Sequence, residues 1–297
     1  MPASEEADRL RACTKRSSSF RLRVRGAMLD FGMQTYRERL PIPALAELLS
    51  CVWVQRVSPD GPAYEHRTVP NGAIEIVCVT GTDTACVVGP RTTPVLDRLD
   101  PGTTVVGARF RPGVPPAVIG ATAHELLDRE ADLDVLWGAQ PAGRITAAGT
   151  PDAIERELLA RLDLAPDRDP LVAETVHGLQ PWRRRDIADV AGALYISPRQ
   201  FRRRCIAAFG FGPKTLHRVL RFQGFLALAD SHRLGVGRLA AECGYFDQAH
   251  LARECLELTG MTPSAFLQEL RASCGANHDH TASYAGLRRA LRTAVSY

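Results

Sequence analysis

Residues 197–213 read SPRQFRRRCIAAFGFGP, and residues 247–263 read DQAHLARECLELTGMTP. The two stretches align without a gap and share identical residues at four positions: Arg203 and Arg253, Cys205 and Cys255, Gly210 and Gly260, Pro213 and Pro263. Each stretch follows a short apolar helical pattern, and the second copy has one more residue in the turn. This arrangement predicts a duplicated helix-turn-helix, the two copies joined by a helix over residues 213–230.

The first copy begins with signals for the start of a helix. Ser197 suits the N-cap position, Pro198 suits the first turn, and Gln200 completes a capping box. At about 100° per residue, Phe201 and Cys205 fall on one face of the helix, which predicts the buried side.

Three arginines fall on the opposite face, and they predict contact with DNA bases. They are Arg199, Arg202 and Arg203. A guanidinium group can donate two parallel hydrogen bonds to guanine O6 and N7 in the major groove. In addition, residues 181–221 contain ten Lys and Arg against two acidic residues, although the whole chain has a net charge of only +4. Such a local excess suits a phosphate backbone, whereas the alternative is an ordinary solvated surface.

The second copy keeps one of these three arginines. Ala249, Ala252 and Arg253 occupy the equivalent positions, and Gln248 and His250 supply polar groups at the helix start. The first helix is therefore expected to give most of the base discrimination. The full set of predicted DNA-binding residues also includes Ser197. Weaker candidates for contact with phosphate are Lys214, Arg218 and Arg183–Arg185.

The first half of the chain has a different pattern, rich in short apolar runs. Runs at residues 51–57, 73–79, 85–88 and 104–110 alternate with turn signals, which predicts a small antiparallel sheet or barrel. Helical patterns follow at 117–127 and 152–162. The predicted fold class is α+β with two domains. Residues 20–165 are expected to form a β-rich effector or dimerisation domain and 171–270 an all-α DNA-binding domain, while 1–19 is expected to be a disordered tail and 273–297 a polar C-terminal tail.

No catalytic residue, cofactor or metal is predicted. His66, Glu75 and His124 lack the spacing of a metal site, and isolated histidines are more often structural. Arg109 and Arg111 alternate on one strand and suit either an anionic effector or, the favoured reading, a structural brace. The eight cysteines contain no CxxC pair, and a role as redox sensor is an alternative for Cys78 or Cys86. No run of residues is apolar enough for a membrane span or a signal segment. A cytoplasmic protein is expected.

The C-terminal residues resemble the DNA-binding domain of the AraC/XylS family of bacterial transcription regulators. The resemblance covers about 100 residues and rests on Arg221 and on residues 197–203, 210–213, 240–253 and 259–263. It implies that both helices enter successive major grooves. Cys205 and Cys255 depart from the family, which usually has phenylalanine there, so looser packing is expected at both sites.

The N-terminal half is similar to a β-rich domain that often accompanies this DNA-binding unit. That similarity rests on residues 36–41, 51–53, 69–72, 88–90, 107–113 and 132–138. The expected function is a sequence-specific, DNA-binding transcription regulator whose two motifs contact adjacent major-groove segments. Expected partners are double-stranded promoter or operator DNA, RNA polymerase, a small-molecule effector at the N-terminal half and a second copy in a homodimer. The alternatives are a helix-turn-helix protein-interaction module and a regulator linked to a DNA-repair methyltransferase; activation or repression stays open.

Overall fold

The N-terminal half is built around one large sheet. The computed structural model describes residues 34–114, 116–164, 169–183, 185–231, 234–273 and 278–279. The strands are β1 (Gln34–Arg39), β2 (Leu49–Val57), β3 (Tyr64–Thr68), β4 (Glu75–Val79), β5 (Ala85–Val88), β6 (Val95–Leu99), β7 (Thr104–Phe110), β8 (Glu130–Asp132) and β9 (His278–Asp279). Seven form a sheet in the order β8-β5-β4-β7-β2-β1-β9, antiparallel except for the β1–β9 pair. Strands β3 and β6 form a separate antiparallel pair.

The two faces of the large sheet have different neighbours because side chains alternate along each strand. One face packs against four helices: α1 (Pro116–Ile119), α2 (Leu133–Trp137), α3 (Ala139–Ala148) and α4 (Pro151–Leu159). Ile76, Val106 and Phe110 are buried there together with Ile145 and Leu158 of the helices. The other face turns toward β3, β6 and the C-terminal helices.

Seven helices make up the described C-terminal half. They are α5 (Pro170–Gly178), α6 (Ile187–Ala193), α7 (Pro198–Phe209), α8 (Pro213–Ser231), α9 (Val236–Glu242), α10 (Gln248–Thr259) and α11 (Pro263–Ser273). Helices α6 and α7 form the first helix-turn-helix, and α9 and α10 form the second. Helix α8 joins them and, with 19 residues, is about 28 Å long. No helix in the described part of the chain is long and apolar enough to cross a membrane.

The sequence predictions for the first half were partly wrong. The four predicted runs became β2, β4, β5 and β7, whereas the short strands β1, β3, β6, β8 and β9 were missed. The predicted helix over 117–127 ends at Ile119, because Gly120 takes a positive φ of 91° that stops the helix. The predicted tail over 1–19 and most of the tail over 273–297 lie outside the described residues.

Gly224 lies inside α8, where alanine would ordinarily be about 1 kcal/mol better. A Cβ at this position would come within 2.5 Å of the Pro181 Cγ. We therefore expect Gly224→Ala to lower the free energy of unfolding by about 1–3 kcal/mol, because the close-packed helix has no room for a methyl group. Chemical denaturation measures this. Gly143→Ala is the control: its Cβ would meet nothing within 4 Å, so it should be neutral or stabilising. A stable Gly224→Ala protein would contradict the packing argument.

Candidate functional site

Helix α7 presents the predicted arginine face to solvent. Ser197 Oγ accepts a hydrogen bond from the Gln200 backbone N–H, and Gln200 Oε1 accepts one from the Ser197 N–H, so the predicted capping box is confirmed. Arg199, Arg202 and Arg203 are all exposed. Phe201, Cys205 and Phe209 on the opposite face are buried, and the helix ends at Gly210 in the left-handed conformation. Helix α7 carries four arginines and no acidic residue.

Helix α10 has the same frame and a different surface. Asp247 caps its start by accepting from the His250 N–H, and left-handed Gly260 ends it. Gln248 and Arg253 are exposed, so both stay candidates for contact with DNA. His250 is not: its Nε2 lies 3.3 Å from Glu254 Oε1, and its ring lies edge-on to Tyr245. The position of His250 suits a structural contact within the domain better than the predicted contact with a base.

Helix α8 is tied to α10 by two ion pairs. Arg218 Nη1 lies 2.5 Å from Glu257 Oε2, and Arg221 Nη2 lies 2.6 Å from Glu254 Oε1. These pairs fix the second helix-turn-helix on the connecting helix. They also give Arg218 a protein partner in place of the predicted phosphate, whereas Lys214 is exposed.

Two exposed aromatic side chains stand next to the two helix starts, and the sequence predictions missed both. Tyr195 is 96% exposed and Phe246 is 92% exposed. Tyr195 also has a φ of 53°, where the second copy has Gly244 with a φ of 73°. A non-glycine residue is strained in this region, and such strain tends to occur at functional sites. The signal in the sequence was the correspondence of Tyr195 to Gly244 in the second copy, because a glycine in a turn often marks a position that requires a positive φ.

The C-terminal ends of both helices contact the N-terminal half. Arg67 of β3 donates to the Thr259 carbonyl at the end of α10, at 2.9 Å, and forms an ion pair with Glu269 of α11, also at 2.9 Å. His124 Nδ1 lies 3.4 Å from the carbonyl oxygen of Gly210 at the end of α7. The two helices are therefore held by different segments of the same β-rich half.

A cavity of about 480 Å³ lies between the large sheet, the β3–β6 pair and helices α8 and α11. Its walls are mostly apolar and aromatic, with Trp53 and Tyr64 from the strands and Phe266 from α11. Gln223 of α8 donates to the Pro70 carbonyl at 2.9 Å beside it. A ligand in this cavity would touch both halves of the chain.

Arg109 lies in the cavity wall within a network of buried polar groups. Its guanidinium donates to Glu75 Oε1 at 2.8 Å and to Glu38 Oε1 at 3.1 Å, and Glu75 also accepts from Trp53 Nε1 at 3.0 Å. Burial raises the pKa of neighbouring Tyr36 well above its usual range. Arg111 donates instead to the Ala46 carbonyl. These contacts favour the bracing role over the anion-binding role considered for the two arginines.

Metal and thiol chemistry gain no support from the described residues. Within the described ranges no group of three or more His, Cys, Asp or Glu side chains is placed to hold a metal. Burial raises the pKa of Cys78, and it raises that of Cys205 and Cys243 to about 12. Burial, with Glu130 nearby, also raises the pKa of Cys86 to about 12. A thiol must ionise to react, so these side chains suit neither a redox sensor nor a repair methyltransferase.

Comparison with protein families agrees with this geometry. A family model described as a helix-turn-helix domain, of the AraC type, matches residues 190–269. These residues are an AraC-type DNA-binding domain. A second model, a domain of unknown function (DUF6597), matches residues 37–132. The AraC-type domain makes this chain a DNA-binding transcription regulator.

Solved structures of ToxT from Vibrio cholerae are similar to this chain. One, at 1.65 Å resolution, has 9% sequence identity and a TM-score of 0.45, and the match covers 79% of this chain and 98% of ToxT. Another, bound to (E)-4-(8-methylnaphthalen-1-yl)but-3-enoic acid, has 10% identity and a TM-score of 0.45 over 80% and 99% of the two chains. No curated protein matches the chain.

Proposed function

We propose that the chain recognises a bipartite DNA site, and that helices α7 and α10 enter two adjacent major-groove segments of that site. The observation that carries this proposal is the exposed arginine face of α7, on a helix whose other face is buried and whose start is capped. Arg199, Arg202 and Arg203 are assigned to bases in one segment. Arg253 and Gln248 are assigned to the other, with Ser197 and Lys214 at the backbone. Because α10 has lost two of the three arginines, its share of the discrimination is smaller.

The β-rich half is proposed to regulate this reading by binding a small-molecule effector in the cavity. Support comes from the position of the cavity, whose wall includes Arg67 and Glu269, the pair that connects β3 to the helix following α10. The proposed domain bounds stay as the sequence suggested, 20–165 and 171–270. We further propose that the protein is not an enzyme, that it acts on promoter DNA in the cytoplasm, and that it contacts RNA polymerase and forms a homodimer.

Selection from a random duplex pool tests the DNA-reading proposal. Full-length protein should enrich one motif with two informative blocks about one helical turn apart. Affinity for that motif should fall steeply with salt, with a log–log slope of about −0.9 for each neutralised phosphate. If no sequence is enriched at moderate salt, the helix pair is a protein-interaction module and the proposal fails.

Tyr195 and Phe246 are added to the proposed DNA interface because large exposed aromatic surfaces beside both helix starts suit contact with sugars or thymine methyl groups. Tyr195→Gly tests this, since glycine accepts the positive φ that the second copy already has at Gly244. We expect stability within about 1 kcal/mol of the parent, because relieved strain offsets the greater chain entropy. Affinity for the selected duplex should nevertheless fall several-fold. Unchanged affinity in a fluorescence-anisotropy titration would remove Tyr195 from the interface.

A further inference from the structure

One face of the β3–β6 pair lines the cavity. In the register of these strands Tyr64 is opposite Leu99 and His66 is opposite Asp97, and all four residues contribute to the wall. The rings of Tyr64 and His66 have centroids 6.2 Å apart. Side chains directly opposite in such a pair are about 5 Å apart at Cβ. The carboxyl group of Asp97 therefore shares a wall with aromatic rings.

Some charged side chains in the cavity wall are paired with an opposite charge and others are not. Three of the lining arginines are held in ion pairs: Arg67 with Glu269, Arg91 with Glu130, and Arg109 with Glu38 and Glu75. Asp97 forms no ion pair with any described residue, although it is accessible to solvent. Burial raises the pKa of Asp97, the nearby carboxylate of Glu130 adds to this effect, and the guanidinium of Arg91 opposes it. Asp97 is thus a lining carboxylate without an ion pair among the described residues.

Arg271 is the competing anchor. It lines the cavity, is exposed in the last turn of α11, and forms no ion pair with the described residues. Asp97 is exposed as well, so the two differ in position and not in exposure. Asp97 lies at the centre of β6, opposite His66 and between Val95 and Leu99, which also line the cavity, whereas Arg271 lies in the last turn of a helix. A cation at Asp97 can therefore contact the carboxylate and the apolar and aromatic wall at once.

We propose that the cavity binds an organic cation, a protonated amine on an apolar or aromatic body, with the amine against Asp97. This ligand class rests on the proposed effector role of the cavity. The ammonium group would form a charge-assisted hydrogen bond to the carboxylate and face the rings of Tyr64 and His66. The body would lie against Trp53 and Phe266. A volume of about 480 Å³ is within the usual range for a drug-sized ligand.

Three probes with the same body and different charge test the ligand class: 4-phenylbutylamine, 4-phenylbutan-1-ol and 4-phenylbutyrate. Each is titrated into the full-length protein by calorimetry, without DNA. We expect the amine to bind about tenfold more tightly than the alcohol, and the carboxylate to bind most weakly. Asp97→Asn should bring the amine to the affinity of the alcohol, while Arg271→Gln leaves it unchanged. A thermal melt of each variant verifies folding. The comparison of the three probes on the parent protein tests the ligand class even if a variant fails to fold.

Other outcomes would overturn the proposal in distinguishable ways. Equal affinity for all three probes would show an apolar cavity without charge selection. Tightest binding of 4-phenylbutyrate, lost in Arg271→Gln, would show an anion site at α11. If no probe binds, the cavity loses its effector role as well. Amine binding that leaves DNA affinity unchanged would uphold the ligand class and remove the regulatory role, and DNA binding itself is measured independently of both.

Discussion

Arg203→Ala is expected to weaken binding to the selected duplex by about 10- to 100-fold, equivalent to roughly 1–3 kcal/mol. Arg203 is exposed on the capped helix α7, beside Arg199 and Arg202 and opposite buried Phe201. Removing a guanidinium that pairs with guanine should also relax the preference at one base-pair position. Competition titrations with the selected duplex and with each single-base variant measure both effects.

The matched control for this prediction is Arg156→Ala, which removes an exposed arginine from α4 in the N-terminal half. It should leave DNA affinity nearly unchanged. If Arg203→Ala weakens binding to selected and scrambled duplexes equally, Arg203 contacts a phosphate. The base contacts would then have to come from Arg199 or Arg202.

Arg109→Met is expected to lower the free energy of unfolding by about 3–5 kcal/mol. The side chain of Glu38 is fully buried and that of Glu75 is 12% exposed, and Arg109 neutralises both. Methionine keeps much of the volume but leaves two carboxylates without a counter-charge, and desolvated charges of this kind are costly. Chemical denaturation monitored by circular dichroism measures the loss.

Two further variants give this result its meaning. Arg98→Met removes an arginine that is 72% exposed and 3.6 Å from Asp100, and it should cost less than about 1 kcal/mol. Adding Glu38→Gln and Glu75→Gln to Arg109→Met should recover part of the stability, because no buried charge then remains. A loss below about 1 kcal/mol in Arg109→Met alone would show that Arg109 is not a brace, and would return it to the candidates for effector binding.

The helical half was predictable because its signals are local. The capping box at Ser197, the glycines that end α7 and α10, and the apolar spacing of Phe201 and Cys205 all depend on residues a few positions apart. The expectation of looser packing at Cys205 and Cys255 is untested, although both thiols are fully buried. The ion pairs of Arg218 and Arg221 were not predictable, since their partners lie 39 and 33 residues away.

The β-rich half was less predictable because its short strands depend on distant partners. Strand β6 has the exposed residues Asp97 and Arg98 at its centre and lacks a clear alternation, so only its pairing with β3 defines it. Strand β9 pairs with β1 from the other end of the chain. The cavity follows from the same long-range pairing, and no local pattern around Asp97 or Tyr64 indicated it.

The contacts of His124 with Gly210 and of Arg67 with Thr259 have a consequence for promoter choice. These contacts attach the ends of α7 and α10 to the same β-rich half. The angle and the separation between the two helices therefore depend on residues that do not themselves contact DNA. Full-length protein should then accept one spacing between the two blocks of its operator and reject spacers a base pair longer or shorter. Substitutions in β3, far from any base, could shift that spacing and so redirect the protein to other promoters while every DNA contact stays the same.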